Sequence, residues 1–282
     1  MYDPVLHKQI DHILAKQKID IKGSANLFYA RFLANAPIIR LLYYSIYARH
    51  PKAEEFFEKL IATLTTAYAE RSLPLKKRDI TKLEKEGWFL SNDLAGMSLY
   101  VDRFCGNLAN LKTKLEYFKK LGVNLLHLMP LFESPIGESD GGYAVSDFRT
   151  VDEKFGNILQ LKRLQQKMVR EEMYLMIDIV LNHTSQRHEW AQKAREGNPE
   201  YQDYFYMYSS REMPDEFENA MPEVFPESSP GNFTYIPECN KWVMTVFHNY
   251  QWDLNFSNPA VFVSMLENIF FYANLGVDVL RI

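Results

Sequence analysis

From about Met97 onward the chain repeats one pattern: a short, nearly unbroken apolar run, an amphipathic stretch, then another apolar run. The runs are MSLYVDRF, NLLHLMP, MYLMIDIVLN and VDVLRI; between them lie NLKTKLEYFKKLG, ILQLKRLQQKMV and PAVFVSMLENIFFYANLG. Strands without polar alternation are buried on both faces, and strand–helix alternation achieves this by covering a parallel sheet with helices. The pattern predicts an α/β fold with four parallel strands starting near residues 97, 125, 173 and 277. In the first helical stretch Leu111, Leu115, Phe118 and Leu121 fall on one stripe.

Residues 1 to about 90 read as all-helical. Leu6, Ile10, Ile13 and Leu14 share one face, as do Phe57, Leu60, Ile61, Leu64 and Tyr68. Pro37, Pro51 and Pro74 are expected at helix boundaries, and Gly87 as a helix C-terminal cap. Residues 184–255 break the strand–helix rhythm. A helical QRHEWAQKAREG leads into a proline-rich, loop-rich segment, and roughly 70 residues between a strand and its helix marks an inserted subdomain. The expected division is 1–90 helical, 91–183 the first part of the α/β domain, 184–255 inserted, and 256–282 the α/β domain resumed with its third helix and fourth strand.

A net charge of −4 gives no electrostatic reason to expect nucleic acid or an anionic membrane as partner. Cys105 and Cys239 are too few for a disulfide scaffold and lack metal-ligand spacing, so buried free thiols are expected. The start MYDPVLHKQID is not a basic segment followed by an apolar one, and no run approaches the ~18 apolar residues of a membrane span. A cytoplasmic protein is expected; the sequence is silent on oligomeric state.

Four segments at or beyond strand C-terminal ends carry candidate chemistry, on the face where parallel α/β barrels assemble active sites. In ESDGGYAVSDFR, paired glycines allow a tight turn that brings Asp140 and Tyr143 towards a ligand. A carboxylate can accept two sugar hydroxyls and a tyrosine ring can stack on a sugar face; the alternative is a plain glycine turn with a solvated aspartate. DIVLNHTS puts His183 beyond the third strand, as a hydrogen-bond donor to a hydroxyl or as a satisfied structural histidine. His183 and His188 are five apart and no HExxH occurs, which argues against a metal. In WVMTVFHNYQWDLNFSNPAVF, Phe247 is suited to walling a pocket or simply to packing, and Asn258-Pro259 to starting a helix. Arg281 is the only charge in the last apolar strand and needs an anionic partner, yet no carboxylate follows it.

Taken together these segments resemble the α-amylase superfamily of retaining glycosidases and transglycosidases. DIVLNHT resembles that family's third-strand motif, and GVDVLRI its fourth-strand motif, which normally continues into the nucleophilic aspartate. Within the superfamily the helical N-terminal region, MPLFESPIGESDGGYAVSDFRTV and QWDLNFSNP resemble the amylosucrases. The resemblance implies a (β/α)8 TIM barrel, of which this chain holds the first four strands, preceded by an all-helical domain and interrupted after strand three. It implies cleavage of sucrose by double displacement, with glucose passed to an α-1,4-glucan and fructose released, and no cofactor. Asp140 would hold glucose hydroxyls remote from the reacting carbon, Tyr143 would stack under the ring, and His183 would bond a hydroxyl. Phe247 would wall the pocket and Arg281 would orient the nucleophile. Asn182 matches a calcium ligand of many α-amylases, but the amylosucrase resemblance assigns no metal.

The resemblance also implies that the nucleophile follows Ile282, with the acid/base glutamate and four further strands beyond it. The 282 residues alone are then expected to have no turnover and to form a partial or unstable barrel. Two alternatives stand beside the glucosyltransferase: a sucrose hydrolase or other α-amylase-family glucosidase, and a non-catalytic sugar-binding protein using Asp140, Tyr143, His183 and Phe247.

Overall fold

The computed structural model describes residues 3–21, 27–85 and 87–282; the helical reading of residues 1, 2, 22–26 and 86 lies outside the described residues. Two units form, Met1–Leu83 with Phe256–Asn274, and Glu84–Asn255 with Leu275–Ile282.

The first unit is helical. Helix α1, Pro4–Lys16, starts where Asp3 Oδ1 accepts the Val5 and Leu6 N–H groups, and it buries Leu6, Ile10, Ile13 and Leu14. Helices α2, Leu27–Tyr47, and α3, Ala53–Glu70, pack with it. The α3 face buries Phe57, Leu60 and Ile61, while Leu64 and Tyr68 are half-buried. Pro37 does not end a helix: α2 runs through it. A proline removes one helical hydrogen bond, and burial of Phe32, Ala36, Tyr43 and Tyr47 along the same helix outweighs that loss. Pro51 lies in the turn between α2 and α3, and Pro74 in the first turn of α4, Leu73–Glu84, where a missing N–H costs nothing. Arg71 clasps Asp79 through Nε at 2.6 Å and Nη2 at 2.7 Å, and gives Nη1 to the Ala273 carbonyl at 2.6 Å. That carbonyl belongs to the Pro259–Leu275 helix, which starts at the expected Asn258-Pro259 step with Asn258 Oδ1 accepting the Ala260 N–H.

In the second unit the strands are β1 Gly96–Leu99, β2 Leu125–Leu128, β3 Phe132–Glu133, β4 Asp147–Val151, β5 Tyr174–Asp178, β6 His183–Ser185, β7 Met207–Tyr208, β8 Phe233–Ile236, β9 Lys241–Met244, β10 Gln251–Asp253 and β11 Val279–Arg281. The four apolar runs form one parallel sheet in the order β1-β2-β5-β11. One face is apolar and closed: Leu126, Leu128, Leu175 and Ile177 are at most 2% exposed. The alternate positions Ser98, His127, Met176 and Asp178 face the other way, as the two-residue strand period requires.

Three local expectations are corrected. MSLYVDRF is a strand only to Leu99; Val101–Cys105 is helical, closed by Phe104 N–H to the Tyr100 carbonyl and ended by Gly106 at φ 90°. NLKTKLEYFKKLG is two short helices, Leu108–Thr113 and Leu115–Lys120, meeting at Lys114. Leu111, Leu115 and Phe118 are buried, but Leu121 lies past the second helix's end and is 53% exposed. Both cysteines are free thiols, half-buried rather than buried.

Residues 184–255 carry more order than their prolines suggest. β7, β9 and β8 form an antiparallel sheet, β10 pairs antiparallel with β6, and helices span Glu189–Arg195 and Glu212–Ala220. Among the described residues no helix is long and apolar enough to cross a membrane.

Candidate active site

β5 and β11 are paired so that Asp178 stands opposite Arg281. The carboxylate is 3% exposed and takes Arg281 Nη1 on Oδ1 at 2.5 Å, His127 Nε2 on Oδ2 at 3.0 Å and the Tyr143 hydroxyl on Oδ2 at 3.5 Å. This corrects the reading of Arg281: its anion precedes it in the chain, and its own side chain is 54% exposed rather than buried. The Asp178 hydrogen bond raises the Arg281 pKa further. Burial, and then the Asp178 charge, raise that of Tyr143. On the far side of His127, Nδ1 is 2.9 Å from Ser98 Oγ.

The turn that delivers Asp140 and Tyr143 needs its glycines. Asp140, Gly141 and Gly142 have φ of 46°, 67° and 97°. A Cβ on Gly142 would lie 3.0 Å from Pro130 Cβ and 3.2 Å from its carbonyl oxygen. Tyr143 then offers its carbonyl to His183 Nε2 at 3.2 Å.

His183 is 5% exposed and opens the β6–β10 ladder, opposite Asp253, with Ser185 opposite Gln251. Asn182 Nδ2 bonds Asp253 Oδ1 at 2.5 Å and lies 3.1 Å from His183 Nδ1. One amide nitrogen donates to both, so Nδ1 accepts and the ring proton sits on Nε2, aimed at the Tyr143 carbonyl. Burial lowers the His183 pKa to about 4, so the ring is neutral near pH 7. Burial raises that of Asp253 to about 6, opposed by the Val246 N–H at 2.8 Å and by Asn182.

Gln251, fully buried, lies between Asp140 and His183: its Nε2 is 3.2 Å from Asp140 Oδ2 and 3.0 Å from His183 Nε2. With the histidine proton on Nε2, only Asp140 can accept, and Gln251 Oε1 has no partner. His248 Nε2 is 3.7 Å from Asp140 Oδ1, and its ring is stacked between Phe225 at 4.8 Å and Tyr250 at 5.0 Å. The Phe247 ring lies 5.1 Å from that of His183.

The five residues singled out in the sequence thus fall into one connected cluster. Tyr143 links Arg281, through Asp178, to His183; Gln251 donates to Asp140 and lies against His183 at 3.0 Å; Phe247 covers His183. Both nitrogens of His183 face protein partners. Asp178, His127, Gln251, His248 and Asp253 were not singled out. Asp178 and Asp253 each end a strand inside a quoted motif, which is the signal available for them; His127 reads as one polar residue in an apolar run. Among the described residues no three His, Cys, Asp or Glu side chains are grouped to hold a metal ion.

A carboxylate, a neutral imidazole, an amide and flat aromatic faces together suit a polyhydroxylated ring, whose hydroxyls need donors and acceptors and whose C–H faces need apolar surface. A family model of the α-amylase catalytic domain matches residues 76–282. The chain belongs to the α-amylase family. This α-amylase-family chain is 37% identical over 179 residues to the trehalose synthase/amylase TreS of Mycolicibacterium smegmatis, covering 63% of this chain and 29% of that protein. It is 32% identical over 178 residues to the oligo-1,6-glucosidase of Parageobacillus thermoglucosidasius, covering 62% and 30%. A crystal structure of an isomaltulose synthase mutant from Erwinia rhapontici NX5, in complex with its natural substrate sucrose, matches with TM-score 0.60 and 28% identity, over 67% of this chain and 34% of that one. The chain therefore spans about a third of the length of these relatives.

Proposed function

We propose that this chain is the front part of an amylosucrase-type enzyme, which cleaves sucrose with retention, releases fructose and transfers glucose to an α-1,4-glucan. The observation that carries the reading is the Arg281–Asp178 pair at the C-terminal ends of adjacent parallel strands, joined through Tyr143 to the Asp140–Gln251–His183 cluster. Asp140 accepts glucose hydroxyls, the Tyr143 ring stacks beneath the sugar, His183 bonds a hydroxyl and Phe247 walls the pocket. Arg281, held by Asp178, orients the nucleophile. In this reading the sheet is the first half of a (β/α)8 barrel, residues 1–90 are a separate helical domain and residues 184–255 an inserted subdomain.

Double displacement needs two carboxyl groups ~5–5.5 Å apart around an oxocarbenium-like transition state. The reading assigns both to chain beyond Ile282, so the 282 residues bind but do not turn over. No organic cofactor enters, and the enzyme works in the cytoplasm on sucrose and α-glucan.

The test is product analysis with the whole enzyme that contains this chain. Fructose in excess of free glucose, with glucan accumulating, supports the transferase. Equimolar glucose and fructose support the second reading, a sucrose hydrolase, which likeness to an oligo-1,6-glucosidase favours. Sucrose bound but left intact by the whole enzyme leaves the sugar-binding reading, and turnover by the 282 residues alone overturns the assignment of the missing carboxylates.

A further inference from the structure

Ser98, His127, Asp178 and Arg281 stand one on each strand of the parallel sheet and form a single hydrogen-bonded chain across it. The register makes this possible. Ser98 is opposite His127, His127 is opposite Met176, Asp178 lies two residues beyond Met176 on the same face, and Arg281 is opposite Asp178. The polarity of the chain follows from its charged end. A guanidinium only donates, so Asp178 Oδ1 accepts from Arg281. The remaining oxygen, Oδ2, accepts the His127 Nε2 proton, and in the neutral ring Nδ1 is then the acceptor of the Ser98 hydroxyl proton.

We propose that His127 is a positioning residue: by holding Asp178 Oδ2 it fixes the plane of that carboxylate, and so fixes where Oδ1 holds the Arg281 guanidinium. A carboxylate on a two-torsion side chain turns readily about its last bond. The Arg281 side chain is 54% exposed, and its Nη1 is held by Asp178 Oδ1 at 2.5 Å, so its placement depends on that contact. His127 is not part of the apolar packing on the closed face, which Leu126 and Leu128 supply from either side of it. The importance of Arg281 for turnover rests on the function proposed above; its placement by His127 does not.

Two substitutions separate this role from mere filling of space. His127→Gln carries an amide nitrogen to the Nε2 position and keeps the donor to Asp178. His127→Asn reaches only the Nδ1 position and loses that donor. In the isotopically labelled whole enzyme that contains this chain, wild-type His127 is expected as the Nε2–H tautomer, with Arg281 guanidinium protons protected from exchange. His127→Asn is expected to speed that exchange roughly tenfold, and His127→Gln to keep it within about threefold of wild type. An Nδ1–H tautomer in the wild type, or equal exchange in the two variants, overturns the proposal. The tautomer measurement needs no variant and decides even if a variant fails to fold.

In the whole enzyme, His127→Asn is expected to lower kcat by roughly tenfold to a hundredfold with KM for sucrose little changed, and His127→Gln to recover most of the loss. A whole enzyme that leaves sucrose intact removes the functional reading, and the Arg281 exchange rates still decide the positioning role.

Discussion

The two halves of the candidate site are polar in different ways. Across the parallel sheet, Ser98, His127, Asp178 and Arg281 are matched donor to acceptor, each bond setting the direction of the next. On the β6–β10 ladder the matching is incomplete. His183 uses both nitrogens on protein groups, Gln251 presents a donor to a donor, and Gln251 Oε1 has no partner. A buried polar atom left unsatisfied costs about 1–3 kcal/mol; the ladder carries such an atom in Gln251 Oε1 and the sheet chain carries none. The sheet half is matched to hold one geometry, and the ladder half keeps an unmatched acceptor.

The largest effect expected from that contrast is on stability. Asp178→Ala strands the buried His127 donor and releases Arg281, whose exposure lets water replace its share. The loss is about 2–3 kcal/mol in urea unfolding. Gln251→Leu, which keeps the volume and removes an amide already half unsatisfied, costs less than about 1 kcal/mol. Equal losses at the two positions would erase the distinction between finished and unfinished halves.

The next effect is the pH slope contributed by the ladder and the turn after it. Burial holds His183 and His188 at about 4, below the ordinary 6.5, and holds Asp253 at about 6, above the ordinary 3.8. Near pH 5 each unfolded histidine binds a proton that its folded form lacks, so each makes stability rise with pH. Folded Asp253 keeps a proton that its unfolded form has lost, so it makes stability fall with pH. Each group contributes roughly 1.4 kcal/mol per pH unit at full strength, so together these three groups make stability rise by about one group's worth. Asp253→Asn is expected to steepen the rise about twofold, and His183→Gln to flatten it. Urea midpoints measured at about pH 4.5 and 5.5 check both. A wild type whose stability falls across that interval contradicts the burial assigned to the two histidines.

What the sequence made legible follows the same division. The four strands could be read because an apolar run is a local signal, and they occur near the expected starts with the expected parallel order. The glycine turn was equally local: the paired glycines that suggested it carry φ of 67° and 97°. Helix breaks were less legible. Pro37 stands inside α2 because tertiary burial overrides a missing hydrogen bond, and the stripe ending in Leu121 was cut where the helix stops at Lys120. The partners of Arg281 and His127 were not legible at all. Asp178 is 103 residues from one and 51 from the other, and only strand register makes them neighbours. The carboxylate partner of Arg281 does not follow it in the chain but comes from the neighbouring strand, through the sheet register.

The smallest expected effect tests the outer end of the sheet chain. Ser98 is exposed and stands at the opposite end of the four-residue chain from Arg281. Its hydroxyl donates to His127 Nδ1, and water can make the same bond from the open side. Ser98→Ala is therefore expected to cost less than about 0.5 kcal/mol and to leave the His127 tautomer unchanged, because Asp178 sets that tautomer from the buried side. A larger loss, or a proton moved to Nδ1, would mean that order in the chain runs inward from Ser98 instead of outward from the carboxylate. Arg281 would then be held by the weakest link in the chain across the sheet.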